Sequence, residues 1–188
     1  LAAYPRQTTD RRSWDATDIM LITYGDAISS NDKAPLETLG VFAKAQLQGI
    51  VSNVHILPCY PFTSDDGFAV SDYRTINPEL GDWSHIEALR KNFELMFDLA
   101  INHSSSAHAY FTQFLKDEAP GNAYFMTAPI EADVSAVTRP RASALLQTFE
   151  TTNGRKHVWC TFSRDQVDWN FKNPDVLLEF VDIVAMYV

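Results

Sequence analysis

The sequence predicts an α/β fold built on a parallel β-sheet. Three short apolar segments alternate with two helical patterns in the first part of the chain, and the third segment, Leu95–Ile101, is almost continuously hydrophobic. Such a segment is typical of a strand that a parallel sheet buries on both faces. Because right-handed crossovers connect strands in this alternating order, these observations together favour a parallel α/β architecture.

The first two strands and the helix between them follow from hydrophobic runs and the turn residues that bound them. Ile19–Tyr24 and Asn53–Leu57 are the two apolar runs. Pro35 suits the first turn of a helix, and Gly49 suits its end. One face of this helix is predicted to be buried and consists of Leu36, Leu39, Ala43 and Leu47.

The second helix and the third strand follow in the same way. Ser84–Glu87 has the spacing of a capping box, and the helix is predicted to continue through Lys91. The third strand then ends at Asn102 and His103. The carboxyl ends of parallel strands are where such sheets bind ligands, so we expect these two side chains at a site. A structural, hydrogen-bonded histidine is the alternative interpretation of His103.

The alternation stops after the third strand. Residues 104–171 show only a helical stretch at 107–116 and a strand-like segment at 156–162, which favours an insertion between a strand and its helix. The last helix is predicted to begin at Asn173, a good N-cap, with Pro174 and Asp175 in its first turn. Its predicted buried stripe is Leu177, Val181, Val184 and Val188.

Composition excludes some classes of function. The net charge is −9 and no cluster of Lys and Arg occurs, which argues against nucleic-acid binding. No apolar run approaches the roughly 18 residues of a membrane span, and the polar residues 1–17 lack the core of a signal peptide, so we expect a cytoplasmic protein without membrane contact. Trp14 is predicted to anchor this polar arm. Cys59 and Cys160 lack metal-type spacing and are expected to be buried, reduced thiols.

Four motifs resemble a known family. Asp98–His103 resembles the first short signature of the α-amylase superfamily, glycoside hydrolase family thirteen, and Gln166–Asp168 resembles the motif at the end of its domain B. Ser64–Phe68 and Val137–Arg141 are similar to the subfamily of sucrose phosphorylase and its relatives that act on glucosylglycerate or glucosylglycerol. Four motifs in the right order and spacing make the resemblance specific.

The resemblance implies the N-terminal part of a (β/α)₈ TIM barrel, with strands one to three and an inserted domain B. A complete barrel of this kind needs about 250 residues. An unrelated parallel α/β fold is the alternative. The implied parts are an N-terminal arm at 1–17, the first part of the barrel at 18–103, domain B at 104–171 and barrel helix three at 172–188.

The resemblance also implies a function, which is the phosphorolysis of sucrose or a glucosylglycerate-like glucoside with retention of configuration. Phosphate would be the co-substrate, with no cofactor and no metal. The family's nucleophilic Asp and acid/base Glu lie on strands four and five and match no residue here, so we expect no catalytic residue in this chain and no activity from it alone. The alternatives are an inactive sugar-binding module and an α-glucosidase or transglucosidase. The open barrel edge predicts association, including a homodimer.

The residues implied to bind substrate have roles suited to their chemistry. Asp65 would accept hydrogen bonds from glucose hydroxyls, and His103 would contact the 6-hydroxyl. Arg139 and Arg141 are the best candidates for binding an anion, because guanidinium matches phosphate geometry, and the resemblance implies that Arg141 faces the side where phosphate enters. The remaining implied positions are the ring of Phe68 in the glucose site, Phe162 and Gln166 on the acceptor side, and Asp98, Asn102 and Asp168 as structural supports. Without the family, Asp65 would be interpreted as a turn residue, Phe68 as core, and the two arginines as exposed.

Overall fold

The computed structural model describes residues 14–139 and 141–188, and these residues form two compact units. The first, here called the sheet unit, contains the described residues up to Pro61 together with Tyr73–Leu99. The second, here called the insert unit, contains Phe62–Asp72 and Ala100–Val188. The limits of the arm, the barrel part and domain B given above stay predictions.

The sheet unit is built on a parallel three-stranded sheet in the order β1-β2-β3. The strands are β1 at Met20–Thr23, β2 at Asn53–Ile56 and β3 at Glu94–Phe97. All three strands lie within the predicted segments, except that β3 begins one residue earlier, at Glu94. The central strand alone buries whole side chains, those of Val54 and Ile56, because β1 and β3 have a neighbour on only one side.

Two helices complete the sheet unit. Helix α1, Pro35–Gln46, buries Leu36, Leu39 and Ala43, which confirms most of its predicted face. Helix α2, Trp83–Arg90, begins one residue before the predicted cap. The predicted Ser84–Glu87 box is wrong: the Asp82 carboxylate accepts from the Ser84 amide at 2.9 Å, and His85 Nδ1 accepts from the Asp82 amide at 3.1 Å. Aspartate caps as well as serine does, so the spacing alone could not choose between them.

The predicted third strand was too long. Strand β3 ends at Phe97, and the side chain of Met96 is 45% exposed rather than buried on both faces. His103 does not end β3 but begins a separate strand, β4, at His103–Ser105. The apolar residues Leu99–Ile101 connect the two strands. Hydrophobicity alone did not reveal this break, because apolar residues continue through it.

The insert unit contains more regular structure than the sequence predicted. Strand β4 pairs antiparallel with β7, Gln166–Asp168. Between them in the chain lies a hairpin formed by β5, Leu146–Thr151, and β6, Gly154–Trp159. Helix α3, Ala109–Lys116, is capped by His108, whose Nδ1 accepts from the Tyr110 amide at 3.1 Å. The helix near 107–116 is thus confirmed, whereas β4, β5 and β7 were missed.

Aromatic rings form the core of the insert unit. Trp169 stacks on Phe125 with centroids 4.6 Å apart and meets His108 edge-on at 5.1 Å. The cluster is completed by Phe111, Phe114, Phe149 and Phe180. Burial lowers the pKa of His108 to about 4, so its imidazole is neutral inside this cluster at neutral pH.

Helix α4, Pro174–Tyr187, begins as predicted, and the Asn173 side chain accepts from the Asp175 amide at 3.0 Å. The predicted buried stripe is wrong, because Leu177 and Val184 are 53% and 42% exposed and Val188 is more exposed still. The buried residues are instead Val176, Phe180 and Ile183. The helix is apolar on both faces, so periodicity could not identify the face that packs in this unit.

Three smaller predictions can also be compared with the structure. Cys59 and Cys160 are free and buried, as predicted, and burial raises the pKa of each thiol to about 12. Trp14 is 73% exposed, so its prediction as a docked anchor is wrong; the rest of the arm, residues 1–13, lies outside the described residues. No helix among the described residues is long and apolar enough to cross a membrane.

Candidate functional site

The segment Phe62–Asp72, here called the Asp65 loop, adopts an unusual backbone. The Thr63 amide donates to the Ala69 carbonyl at 3.1 Å and the Phe68 amide to the Asp65 carbonyl at 3.0 Å, which closes a tight turn. Asp65, Asp66 and Gly67 then follow one another with φ values of 59°, 52° and 102°. Residues other than glycine rarely adopt these left-handed backbone angles. The resulting strain persists only where the surrounding structure holds the backbone in place. The loop is therefore held in one shape by contacts outside itself.

Gln166 connects the Asp65 loop to strand β7. Its side chain is 2% exposed, and its Nε2 donates to Asp65 Oδ2 at 2.8 Å. A carboxylate only accepts, so this bond fixes which end of the amide is nitrogen. The amide oxygen accepts from the Ser163 hydroxyl at 2.9 Å, in agreement with that orientation. Gln166 thus holds the Asp65 carboxylate in a defined place.

His103 lies beside the same amide. Its Nε2 is 3.0 Å from the Phe68 carbonyl oxygen and 3.2 Å from Gln166 Nε2. The carbonyl can only accept, so the ring must carry its proton on Nε2 to bond there, and the Gln166 amide is then a close neighbour rather than a second partner. Burial lowers the pKa of His103, while the Phe68 carbonyl and the Asp65 charge oppose that effect. The imidazole is therefore neutral at neutral pH.

Phe162 and Arg141 lie on another side of His103. The rings of His103 and Phe162 have centroids 5.1 Å apart, and the Arg141 guanidinium lies 5.7 Å from the centroid of the Phe162 ring. Arg141 is exposed, whereas Arg139 donates to the Thr161 carbonyl at 3.2 Å. Arg139 therefore holds backbone, and Arg141 is the arginine that the structure brings, through Phe162, to the Asp65 and His103 cluster.

The three predicted support residues differ in their surroundings. In the sheet unit, Asp98 Oδ2 lies 3.0 Å from His55 Nε2. In the insert unit, Asn102 is exposed, and its backbone carbonyl accepts from the Trp169 backbone amide at 3.1 Å. Asp168 is buried, its Oδ2 accepts from the Thr161 amide at 2.6 Å, and burial raises its pKa to about 6. Asp168 and Arg139 together hold both backbone groups of Thr161, the residue before Phe162.

Asp165 was not among the site residues predicted from the sequence. Its carboxylate accepts hydrogen bonds from the hydroxyls of Thr63 and Ser64 at 2.5 Å and of Ser106 at 2.6 Å, with Ser105 at 3.4 Å. Burial raises the pKa of this carboxyl, but the hydrogen bonds from Ser106, Ser64 and Thr63 outweigh burial and lower it overall. Two runs of hydroxyl residues, at 63–64 and 104–106, were the only signal in the sequence.

The cluster is suited to binding a polyhydroxylated molecule. Within the insert unit it brings a carboxylate, a neutral imidazole and an amide next to aromatic rings, and these groups can exchange hydrogen bonds with hydroxyls. No group of three or more His, Cys, Asp and Glu side chains able to hold a metal ion occurs among residues 14–139 and 141–188.

Comparison with known proteins identifies the family. Residues 46–188 match the family described as Alpha amylase, catalytic domain. The chain belongs to the α-amylase family. It is 48% identical over 174 residues to the glucosylglycerate phosphorylase of Spirochaeta thermophila and 42% identical over 191 residues to that of Escherichia coli. These alignments cover 93% and 100% of this chain but 30% and 34% of the relatives, so the chain spans about a third of their length.

Solved structures agree with this assignment. The sucrose 6F-phosphate phosphorylase of Thermoanaerobacter thermosaccharolyticum superposes with a TM-score of 0.83 at 27% identity, over 93% of this chain and 38% of that one. The R284C mutant of trehalulose synthase MutB shares the fold at 19% identity, with a TM-score of 0.77. These neighbours are (β/α)₈ barrel enzymes of glycoside hydrolase family thirteen. The predicted fold class, three barrel strands with an inserted domain, is confirmed, as is the likeness to sucrose and glucosylglycerate phosphorylases.

Proposed function

We propose that the complete protein is a glucoside phosphorylase that transfers glucosyl from a glucosylglycerate-like glucoside, or from sucrose, to inorganic phosphate. The observation that carries the proposal is the cluster of Asp65, Gln166 and His103 in a chain 42–48% identical to glucosylglycerate phosphorylases. Phosphate is the co-substrate, and no cofactor or metal is needed. The cytoplasmic location and the homodimer stay predictions.

Each residue at the site is assigned a different contact with the substrates. Asp65 accepts hydrogen bonds from glucose hydroxyls, since a carboxylate accepts from two hydroxyls at once. The neutral His103 exchanges a hydrogen bond with another hydroxyl while Phe68 and Phe162 cover the sugar ring. Arg141 offers its exposed guanidinium to phosphate.

Bond cleavage requires groups that this chain does not contain. Retention of configuration needs two carboxylates about 5–5.5 Å apart, one as nucleophile and one as acid/base. In the family these lie on barrel strands four and five. In the proposed reaction the nucleophile displaces the glycerate or fructose group, whose oxygen takes a proton from the acid/base, and so forms a covalent glucosyl-enzyme. Phosphate rather than water then attacks this intermediate, releases the nucleophile and forms α-glucose 1-phosphate. The residues described here bind and orient the glucosyl group during both steps.

The first test is the requirement for phosphate. The product of the complete reading frame, incubated with glucosylglycerate or sucrose, is expected to release α-glucose 1-phosphate only when phosphate is present, as followed by ³¹P and ¹H NMR. Glucose release without phosphate would indicate a hydrolase or transglucosidase instead. No turnover together with retained glucose binding would indicate a sugar-binding module.

Two neighbouring carboxylates provide a matched pair for testing the glucose contact. In Asp65→Asn the charge that accepts from glucose hydroxyls is lost, and kcat/KM for the glucoside is expected to fall about a hundredfold. In Asp66→Asn, at an exposed and equally left-handed residue, kcat/KM should stay near the wild-type value. Equal effects of the two substitutions would contradict the role of Asp65.

A further inference from the structure

We propose that Asp165 is a positioning residue, which holds the Asp65 loop in its left-handed shape by accepting hydrogen bonds from hydroxyls on both the loop and the adjoining strand. The part of this inference that concerns substrate rests on the proposed function. Asp165 lies outside the four family motifs, next to Gln166–Asp168.

The hydrogen bonds of Asp165 connect two segments that are distant in the sequence. Oδ2 accepts from Thr63 and Ser64, which directly precede Asp65, and Oδ1 accepts from Ser106 just after strand β4. The Asp165 carbonyl also accepts from the Ser106 amide at 2.8 Å. One carboxylate therefore fixes the start of the Asp65 loop against β4 and β7.

The neighbouring hydroxyls reinforce this arrangement. Thr63 and Ser105 have their hydroxyl oxygens 2.6 Å apart, and the Ser105 hydroxyl accepts from the Ala107 amide at 2.9 Å. A hydroxyl that accepts from an amide keeps its own proton for another partner. Because the Thr63 hydroxyl donates to Asp165, the Ser105 hydroxyl can donate to the Thr63 oxygen. The network has an ionised acceptor at its centre, and hydrogen bonds to ionised groups are the strong ones.

Asp165 and Gln166 act on different parts of the same loop. Gln166 holds the carboxylate of Asp65, whereas Asp165 holds the backbone on its amino-terminal side through Ser64. Asp65 and Asp66 need such external support in the left-handed region, whereas Gly67 adopts a positive φ without strain. Without Asp165 the loop would relax toward ordinary backbone angles, and the Asp65 carboxylate would leave the position in which Gln166 holds it.

Hydrogen exchange tests the positioning role without any substrate. In Asp165→Asn of the complete protein, the amides of Phe68 and Ala69, which bond within the loop, are expected to exchange about tenfold faster because hydrogen bonds to a charged acceptor are lost. The β5–β6 hairpin should be unchanged. Asp117→Asn is the matched control, since the Asp117 carboxylate binds Asn153 and Lys156 in the same unit, at the end of α3 and on the β5–β6 hairpin rather than on the loop. Unchanged exchange at Phe68 and Ala69 would overturn the inference, whatever the protein catalyses.

Kinetics test whether Asp165 acts through Asp65. Asp165→Asn should raise KM for the glucoside about tenfold in the wild-type background and change it little in the Asp65→Asn background, because the two substitutions remove the same interaction. Fully additive effects would contradict action through Asp65. If the unsubstituted protein shows no phosphorolysis but exchange in the loop responds as expected, the proposed function fails and the positioning role stands.

A second pair of variants guards against a failure to fold. Thr63→Val and Ser64→Ala each remove one hydroxyl that bonds to Asp165 and leave the carboxylate in place. In each variant the amides of the Asp65 loop are expected to exchange faster than in the wild type, but less so than in Asp165→Asn. The melting temperature of the protein should not change. Normal loop protection in both variants would overturn the inference.

Discussion

At the scale of residues, the position of Asp65 depends on a side chain more than a hundred positions away in the sequence. Gln166 was expected only on the acceptor side of the site, yet its amide bonds directly to the Asp65 carboxylate and lies against His103. This proximity arises from the antiparallel pairing of β4 with β7, which places Ser105 opposite Gln166. Motifs predicted the residue types; the contact between them required the strand pairing, which no local pattern reveals.

Arg141 can be tested separately from the glucose contacts. Its guanidinium lies over Phe162 and is exposed, and the proposed function assigns phosphate binding to it. In Arg141→Ala, KM for phosphate is expected to rise ten- to a hundredfold, the value of one charge-assisted contact, while KM for the glucoside changes little.

Arg155→Ala is the control for Arg141→Ala. Arg155 is also an exposed arginine, and in the described part of the chain it forms a salt bridge with Glu150 at 2.8 Å. It should leave both KM values unchanged. An equal loss of affinity for phosphate and glucoside in Arg141→Ala would assign the arginine to general support of the site.

At the scale of elements, strand β7 carries a buried carboxyl whose titration affects stability. The pKa of Asp168 is raised from near 3.8 to about 6 by burial. The folded state therefore binds its proton more tightly than the unfolded state. The resulting stabilisation is complete below about pH 3.8 and is lost as the pH rises through 6.

Asp168→Asn is expected to remove this dependence while its amide oxygen still accepts from the Thr161 amide. At pH 7 the variant should be more stable than the wild type by up to about 3 kcal/mol, and the difference should vanish near pH 4. Urea unfolding at a series of pH values measures it. A constant difference from pH 4 to 7 would show that the carboxyl does not titrate as described.

The elements also show what the sequence could and could not predict. Strands β1 and β2 and helices α1 and α4 were found because hydrophobic period, proline and a capping asparagine agree there. Strand β5 was missed because Leu146–Thr151 is mostly polar and buries only Phe149, and because it pairs with a hairpin neighbour rather than lying in a buried sheet. For α4, two apolar faces left the choice between Leu177 and Val176 undetermined.

At the scale of the whole molecule, exposed apolar side chains occur in both units. In the sheet unit Ile22 and Met96 lie on the two outer strands of the parallel sheet. In the insert unit Leu177, Leu178 and Val184 lie on α4. In the barrel fold of the family, further strands and helices pack beside such surfaces. The exposed side chains therefore lie where the barrel fold of the family has further packing.

The 188-residue polypeptide alone is expected to self-associate, because unpaired strand edges and apolar surface promote pairing between chains. Sedimentation velocity over a range of concentrations measures this. Ile22→Lys places a charge on an outer strand and should shift the distribution toward monomer, whereas Lys44→Arg, on the exposed side of α1, should not. A monomer that melts in one cooperative transition and turns over substrate would contradict both this expectation and the predicted dependence on further strands.

The aromatic core of the insert unit has an optical consequence. Trp169 lies in that core at 5% exposure, and within the described residues its indole nitrogen has no hydrogen-bond partner, so its fluorescence emission belongs at short wavelength. Trp159 is in the same unit, while Trp14 and Trp83 are in the sheet unit. The four fluorophores are divided evenly between the units. Replacing both tryptophans of one unit by phenylalanine therefore leaves an intrinsic emission spectrum that reports on the other unit, without any attached dye.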